Sequence, residues 1–144
     1  MKQVAVDLEE LAFAFDDGSP EHEYFLDLAT GEVLLVSDNL GYIEARQERE
    51  RIEEESDRFL SIPQFGSSAE SADMESFVET VEDERLLALL EGALDGNGAF
   101  RRFRDVLNRY PVERDRWYAF KDERLKTRIR EWLTAEQIVP VGKA

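Results

Sequence analysis

The chain has 144 residues, no cysteine, one histidine (His22), and 33 acidic against 18 basic side chains, for a net charge of −15. These numbers leave no disulfide framework, no thiolate zinc site and no Cys-His dyad. No apolar run approaches the roughly 20 residues that span a bilayer, and Met1-Lys2-Gln3-Val4-Ala5-Val6-Asp7 turns acidic too early for a signal peptide. The expectation is one cytoplasmic domain over residues 1–138 with a tail over 139–144.

In chain order, Val6 to Leu11 reads as a helix start. Asp7 is the expected N-cap and Glu10 the matching third residue, with Leu8, Leu11, Ala12 and Phe15 as the buried stripe. Asp16-Asp17-Gly18-Ser19-Pro20 stops that helix. Residues 23–28 and 32–36 then alternate as two strands around Ala29-Thr30-Gly31, a hairpin whose last loop residue needs positive φ. Tyr24 and Leu26 share one face, Phe25 and Asp27 the other.

Asp38 is the expected cap of a highly charged helix from about Leu40 to Arg58, laced with i,i+4 pairs such as Arg46/Glu50, Arg49/Glu53, Arg51/Glu55 and Glu54/Arg58. Phe59-Leu60-Ser61-Ile62, closed by Pro63, predicts a third strand. Gln64 to Glu70 reads as a loop. Ser71 caps a helix through Phe77 and Val81, and Asp83 caps another through Leu94.

Gly96-Asn97-Gly98 is a glycine turn into a helix that ends at Pro111. Phe100, Phe103, Val106, Leu107 and Tyr110 form its apolar face, with Arg101 and Arg104 opposite and Arg102 and Arg109 beside them. A last helix runs from Glu113 to about Ala135, with Trp117, Phe120, Leu125, Ile129, Trp132 and Leu133 inward. Val139-Pro140-Val141-Gly142 is left as tail. The fold class is therefore α+β and mostly helical, with a small antiparallel sheet and a C-terminal helix pair.

The runs FLDLATGEVL, LSIP, MESFVET, GAFRRFRDVL and WYAFKDERL resemble a bacterial group known as uncharacterised protein family 0158. The resemblance covers roughly residues 22–133. It implies domain limits and carries no assigned activity, so no catalytic residue transfers.

The residues with most chemical promise are Gly98, Arg101, Arg102 and Arg104. A helix N-terminus with arginine donors can hold a phosphate or carboxylate, although the spacing matches neither a dinucleotide nor a Walker loop. The structural alternative is a tight turn at Gly98 with the arginines paired, Arg101 to Asp105 for example. Residues 96–130 carry 11 basic and 5 acidic side chains interleaved with aromatics. The aromatics sit at core spacing and the net charge repels phosphate backbones, which argues against nucleic acid. Asp16, Asp17, Asp27 and Asp38 form no metal-ligand pattern, and His22 reads as a surface residue. No metal or cofactor is implied, and no membrane. The leading functional reading is a non-catalytic interaction or regulatory module, using the charged helix and the arginine face to contact a protein partner or a second copy. The alternative is an anion-binding protein or phosphate-handling enzyme at Gly96–Arg104.

Overall fold

Most of the helices and strands follow from capping chemistry and apolar period within one stretch of chain. A computed structural model describes residues 2–142, and it forms a mostly helical α+β protein. Contacts divide the chain into two compact units, Met1–Gly66 with Leu125–Ala144, and Ser67–Arg124.

The first unit opens with strand β1 (Lys2–Ala5) and helix α1 (Leu8–Asp16). The Asp7 carboxylate accepts from the amides of Glu9 and Glu10, as the capping pattern predicts. Leu11, Ala14 and Phe15 are buried. Strands β2 (Glu23–Asp27) and β3 (Val33–Val36) form the hairpin. Gly31 closes it at φ 80°, and a Cβ there would stand 1.6 Å from the Ala5 carbonyl oxygen. Glycine is required at this position by backbone angle and by the approach of β1.

The charged helix is shorter than its sequence suggests. Ser37 caps a 3-10 turn over Asp38–Leu40, and Gly41 at φ 125° then starts helix α2 (Tyr42–Glu54). Of the expected pairs only Arg46–Glu50 forms, at 3.5 Å. Arg49 instead reaches Asp38 (2.8 Å) and Glu23 (3.3 Å). Arg51 pairs with Glu48 at 3.1 Å. Arg58, past the helix end, grips Asp27 with two hydrogen bonds of 2.9 Å. Tertiary carboxylates outcompete helical neighbours because they fix a bidentate geometry that a flexible surface pair does not.

Strand β4 (Phe59–Ile62) pairs antiparallel with β2, giving the order β3-β2-β4. One face of this sheet, with Tyr24, Leu26 and Ile62, joins the core of Phe15, Ile129 and Leu133. The other, with Phe25 and Leu34, packs with Val36, Phe59 and the α2 residues Ala45 and Ile52. Residues 139–141, expected as tail, belong to strand β5 (Ile138–Val141), parallel to β1. Neither β1 nor β5 is long enough to announce itself, and each is a strand only because the other supplies its ladder. Lys143 and Ala144 lie outside the described residues.

The second unit is helical. Helix α3 (Gly66–Val78) begins several residues before the expected cap at Ser71, so the expected loop is mostly helix. Helix α4 (Glu84–Ala93) is capped by Asp83, whose carboxylate accepts from the Leu86 amide at 2.9 Å. Helix α5 (Ala99–Leu107) follows the glycine turn, and Pro111 opens helix α6 (Pro111–Ala135) rather than ending α5. Proline suits that first position, where its missing N–H would have no helical partner. Phe77, Phe103, Trp117 and Phe120 meet edge-on at centroid distances of 5.1–6.3 Å, apart from the stacked Trp117–Phe120 pair.

Candidate functional site

The expected glycine turn forms, and Gly98 takes a left-handed backbone at φ 80° as the N-cap of α5. Its arginines divide by role. The Arg102 guanidinium turns back over the loop. It donates from Nε to the Ala93 carbonyl at 3.2 Å, and its two terminal nitrogens donate to the carbonyls of Asn97 and Asp95. The Ala93 oxygen is one that the end of α4 leaves without a helical donor, the other two belong to the turn that follows, and the negative end of the α4 dipole favours a cation there. Arg102 is thus the clamp of the α4–α5 connection. A Cβ on Gly98 would come within 3.2 Å of the Arg102 Nη1, so the glycine also leaves room for the clamp.

Arg101 lies with its side chain 85% exposed and 3.9 Å from the Asp105 carboxylate, a loose surface pair. Arg104 is exposed as well. The four residues singled out as an anion cradle therefore share one turn of chain, with Arg102 engaged by main-chain oxygens and Arg101 and Arg104 on the solvent face. A shallow groove of about 380 Å³ between α4 and α5 is lined by Arg102, Asp105 and Arg109 above Ala88, Leu89 and Val106.

The acidic candidates are spent on partners. The Asp17 carboxylate accepts from the Tyr24 hydroxyl, from His22 Nδ1 at 2.6 Å and from the Ser19 amide at 2.9 Å. The Tyr24 and His22 bonds hold Asp17 down at about 2. Burial, with the Asp17 carboxylate beside it, pushes Tyr24 up to about 12. His22, expected at the surface, is half-buried and tied to Asp17. Asp27, likewise held at about 2, owes this first to Arg58. Asp38 binds Arg49, and Asp16 is exposed. Among the described residues no three His, Cys, Asp or Glu side chains are grouped to hold a metal ion, and no helix is long and apolar enough to cross a membrane.

One surface feature escaped sequence reasoning. Leu40, Tyr42 and Ile43 are each 66% exposed, and Leu35 on β3 is 38% exposed. Leu35 stands on β3, the last strand of its sheet, Leu40 ends the 3-10 turn, and Tyr42 and Ile43 open α2. A groove of about 340 Å³ runs there, lined by Leu34, Leu35, Val36, Leu40, Glu44 and Glu48 among others. The signal was present in Leu40-Gly41-Tyr42-Ile43, an apolar run that a continuous helix from Leu40 would have folded partly inward. The 3-10 turn and Gly41 reset the helical phase and leave the run outside.

The model of the Uncharacterised protein family (UPF0158) matches residues 1–144. A UPF0158 protein of Pseudomonas aeruginosa is 32% identical over 143 residues, covering 99% of this chain and 90% of that protein. UPF0158 proteins of Chlamydia trachomatis and Chlamydia muridarum are each 26% identical, over 129 and 125 residues. This chain covers 86% and 83% of itself in those matches, but only 38% and 36% of the chlamydial proteins. No solved structure matches.

Proposed function

The chain belongs to the Uncharacterised protein family (UPF0158), which has no assigned activity, and we propose that it is a non-catalytic protein-interaction module. The observation that carries this reading is the groove along the edge strand β3, with the exposed Leu35 and Leu40 in its lining. Large apolar side chains gathered at one exposed place mark an interaction surface, whereas single ones do not. The partner is a protein segment that is apolar and basic. Glu44 and Glu48 line the groove, and the unit that holds it carries 19 acidic and 9 basic side chains. The same charge disfavours a second copy at this groove. A cytoplasmic setting is part of the proposal and is read from the cysteine-free, charge-rich composition.

The test is a thermal-shift titration with three probes: a hexapeptide alternating valine and lysine, its valine–glutamate counterpart, and a panel of phosphates and nucleotides. The valine–lysine peptide should raise the melting temperature by about 5 °C at a hundredfold excess over its Kd. The rise should vanish in Leu35→Asp/Leu40→Asp, a variant that alters exposed side chains of the groove only. Equal shifts with both peptides, or none, would reject the reading. A shift with phosphate compounds that is lost in Arg101→Glu/Arg104→Glu would move the function to the competing anion site at Gly98, Arg101, Arg102 and Arg104.

A further inference from the structure

Resting on that interaction reading, we infer that the partner segment binds as an added strand on β3, antiparallel or parallel to it, with basic side chains on its α2 side. Four observations lead there. The groove is lined by the consecutive residues Leu34, Leu35, Val36 and Ser37. Successive side chains of a strand leave on opposite faces of the sheet. A cavity that touches all of them therefore lies along the open edge of the strand and not on either face.

The backbone of β3 is also presented correctly. Asp27 donates its amide to the Glu32 carbonyl at 2.8 Å, which fixes the phase of the β2–β3 ladder. By antiparallel alternation, Leu34 and Val36 face their partners Phe25 and Glu23 with their hydrogen-bonding groups. Val33 and Leu35 then turn theirs toward the edge, where no further strand of the sheet lies. An arriving chain finds a template of donors and acceptors there.

The side walls set the sequence of the guest. Glu44 and Glu48 both line the groove, one helical turn apart on α2, a rise of about 6 Å. Alternate residues of an extended chain are about 6.7 Å apart. Two basic residues at i and i+2 of the guest therefore meet the two carboxylates in step. The intervening residue falls on the opposite face, beside Leu35, and is apolar. Glu48 is already paired with Arg51 at 3.1 Å. That pair is exposed and lies at the helix surface, so a guest cation shares the carboxylate at little cost. Arg49 does not oppose the guest, because Asp38 and Glu23 neutralise it. A docked helix would offer no free backbone groups to Val33 and Leu35, which is the reason for preferring a strand.

The experiment compares the valine–lysine hexapeptide with the same peptide N-methylated at alternate amides on its ladder side. The side chains are unchanged and the hydrogen bonds to β3 are removed. Affinity is read by fluorescence anisotropy, and amide exchange is followed by NMR on the full chain. N-methylation should weaken binding roughly tenfold or more, and the unmodified peptide should slow exchange at the amides of Val33 and Leu35. Glu44→Gln/Glu48→Gln should weaken the lysine peptide and leave a valine–serine peptide unaffected. Equal binding of the methylated peptide, or protection confined to residues other than those of β3, overturns strand addition and leaves the interaction reading intact. Failure of the unmodified peptide to bind overturns both. A rise in sedimentation coefficient of the protein alone, abolished by Leu35→Lys, would assign the edge to a second copy and also overturns the basic guest.

Discussion

The two units hold themselves together in different ways. Ser67–Arg124 is organised around an aromatic cluster, Phe77, Phe103, Trp117 and Phe120, on helices α3, α5 and α6. Met1–Gly66 with Leu125–Ala144 is organised around a three-stranded sheet whose edges and turns are fixed by polar links: Asp27 with Arg58, Asp17 with Tyr24 and His22, Arg49 with Asp38 and Glu23. Apolar cores tolerate the loss of a contact in proportion to the volume removed. Polar links and forced backbone angles fail all at once, because the groups left behind are buried or strained. The same contrast separates their surfaces. The helical unit spends its most suggestive arginine on its own loop, whereas the sheet unit leaves an open strand with Leu35 and Leu40 exposed beside it.

Each unit has its own reporter, since Trp117 sits in the aromatic cluster and Trp132 against Phe15 at 5.4 Å. Trp117→Phe and Trp132→Phe proteins therefore follow one unit each in denaturant. The largest effect is expected at Gly31→Ala. Its Cβ would meet the Ala5 carbonyl at 1.6 Å with φ held positive. A loss of about 4 kcal/mol or more should appear in the Trp132 signal. Phe77→Ala should cost about 3–4 kcal/mol, read at Trp117. If either substitution moved the other unit's reporter by the same amount, the division into separately held units would fail.

Arg102→Ala should follow at about 2 kcal/mol, because three loop carbonyls lose a charged donor. Arg102→Lys should recover little, since an ammonium cannot span the three oxygens as a planar fork does. The Arg101→Ala variant, removing a loose exposed pair, is the control and should lie within about 0.5 kcal/mol of the parent.

The smallest effect is a pH dependence of the sheet unit. Asp17 is depressed from its ordinary 3.8 to about 2, so its contribution is present above pH ~4 and disappears as the pH falls through 2. Tyr24 is raised from 10 to about 12, so its contribution is present below pH ~10 and disappears as the pH rises through 12. Tyr24→Phe should flatten the alkaline arm of a melting-temperature profile. It should also shift the acid arm upward in pH, because Asp17 loses the Tyr24 hydroxyl, the donor that lowers it most, while keeping His22 and Ser19. An alkaline arm unchanged in Tyr24→Phe would place that titration elsewhere.

How much of this was legible varies with the range of the interaction responsible. Asp7 and Asp83 were readable as caps because a side chain bonding two or three residues ahead is a local event. Gly31 was readable because positive φ is a property of one residue. The division of the arginines was not legible. Three arginines within four positions look convergent in sequence, but on α5 they leave the axis in different directions, and Arg102 reaches the carbonyls of the α4–α5 connection. The partners of His22 were hidden because the carboxylate that holds it comes from the end of α1 and its competitor Tyr24 from β2.

The sequence by itself determined the α+β class, the hairpin, the third strand, the aromatic face of α5 and the inward stripe of α6. All of these depend on periodicity and on capping within one stretch of chain. Only the tertiary structure decided that β1 and β5 exist, that Arg58 belongs to Asp27, that Arg102 serves a loop, and that β3 ends its sheet. Each of those facts joins residues far apart in sequence. A strand pairing or a bidentate ion pair forms when the fold brings two distant groups into register, and neither partner's own neighbourhood records the other.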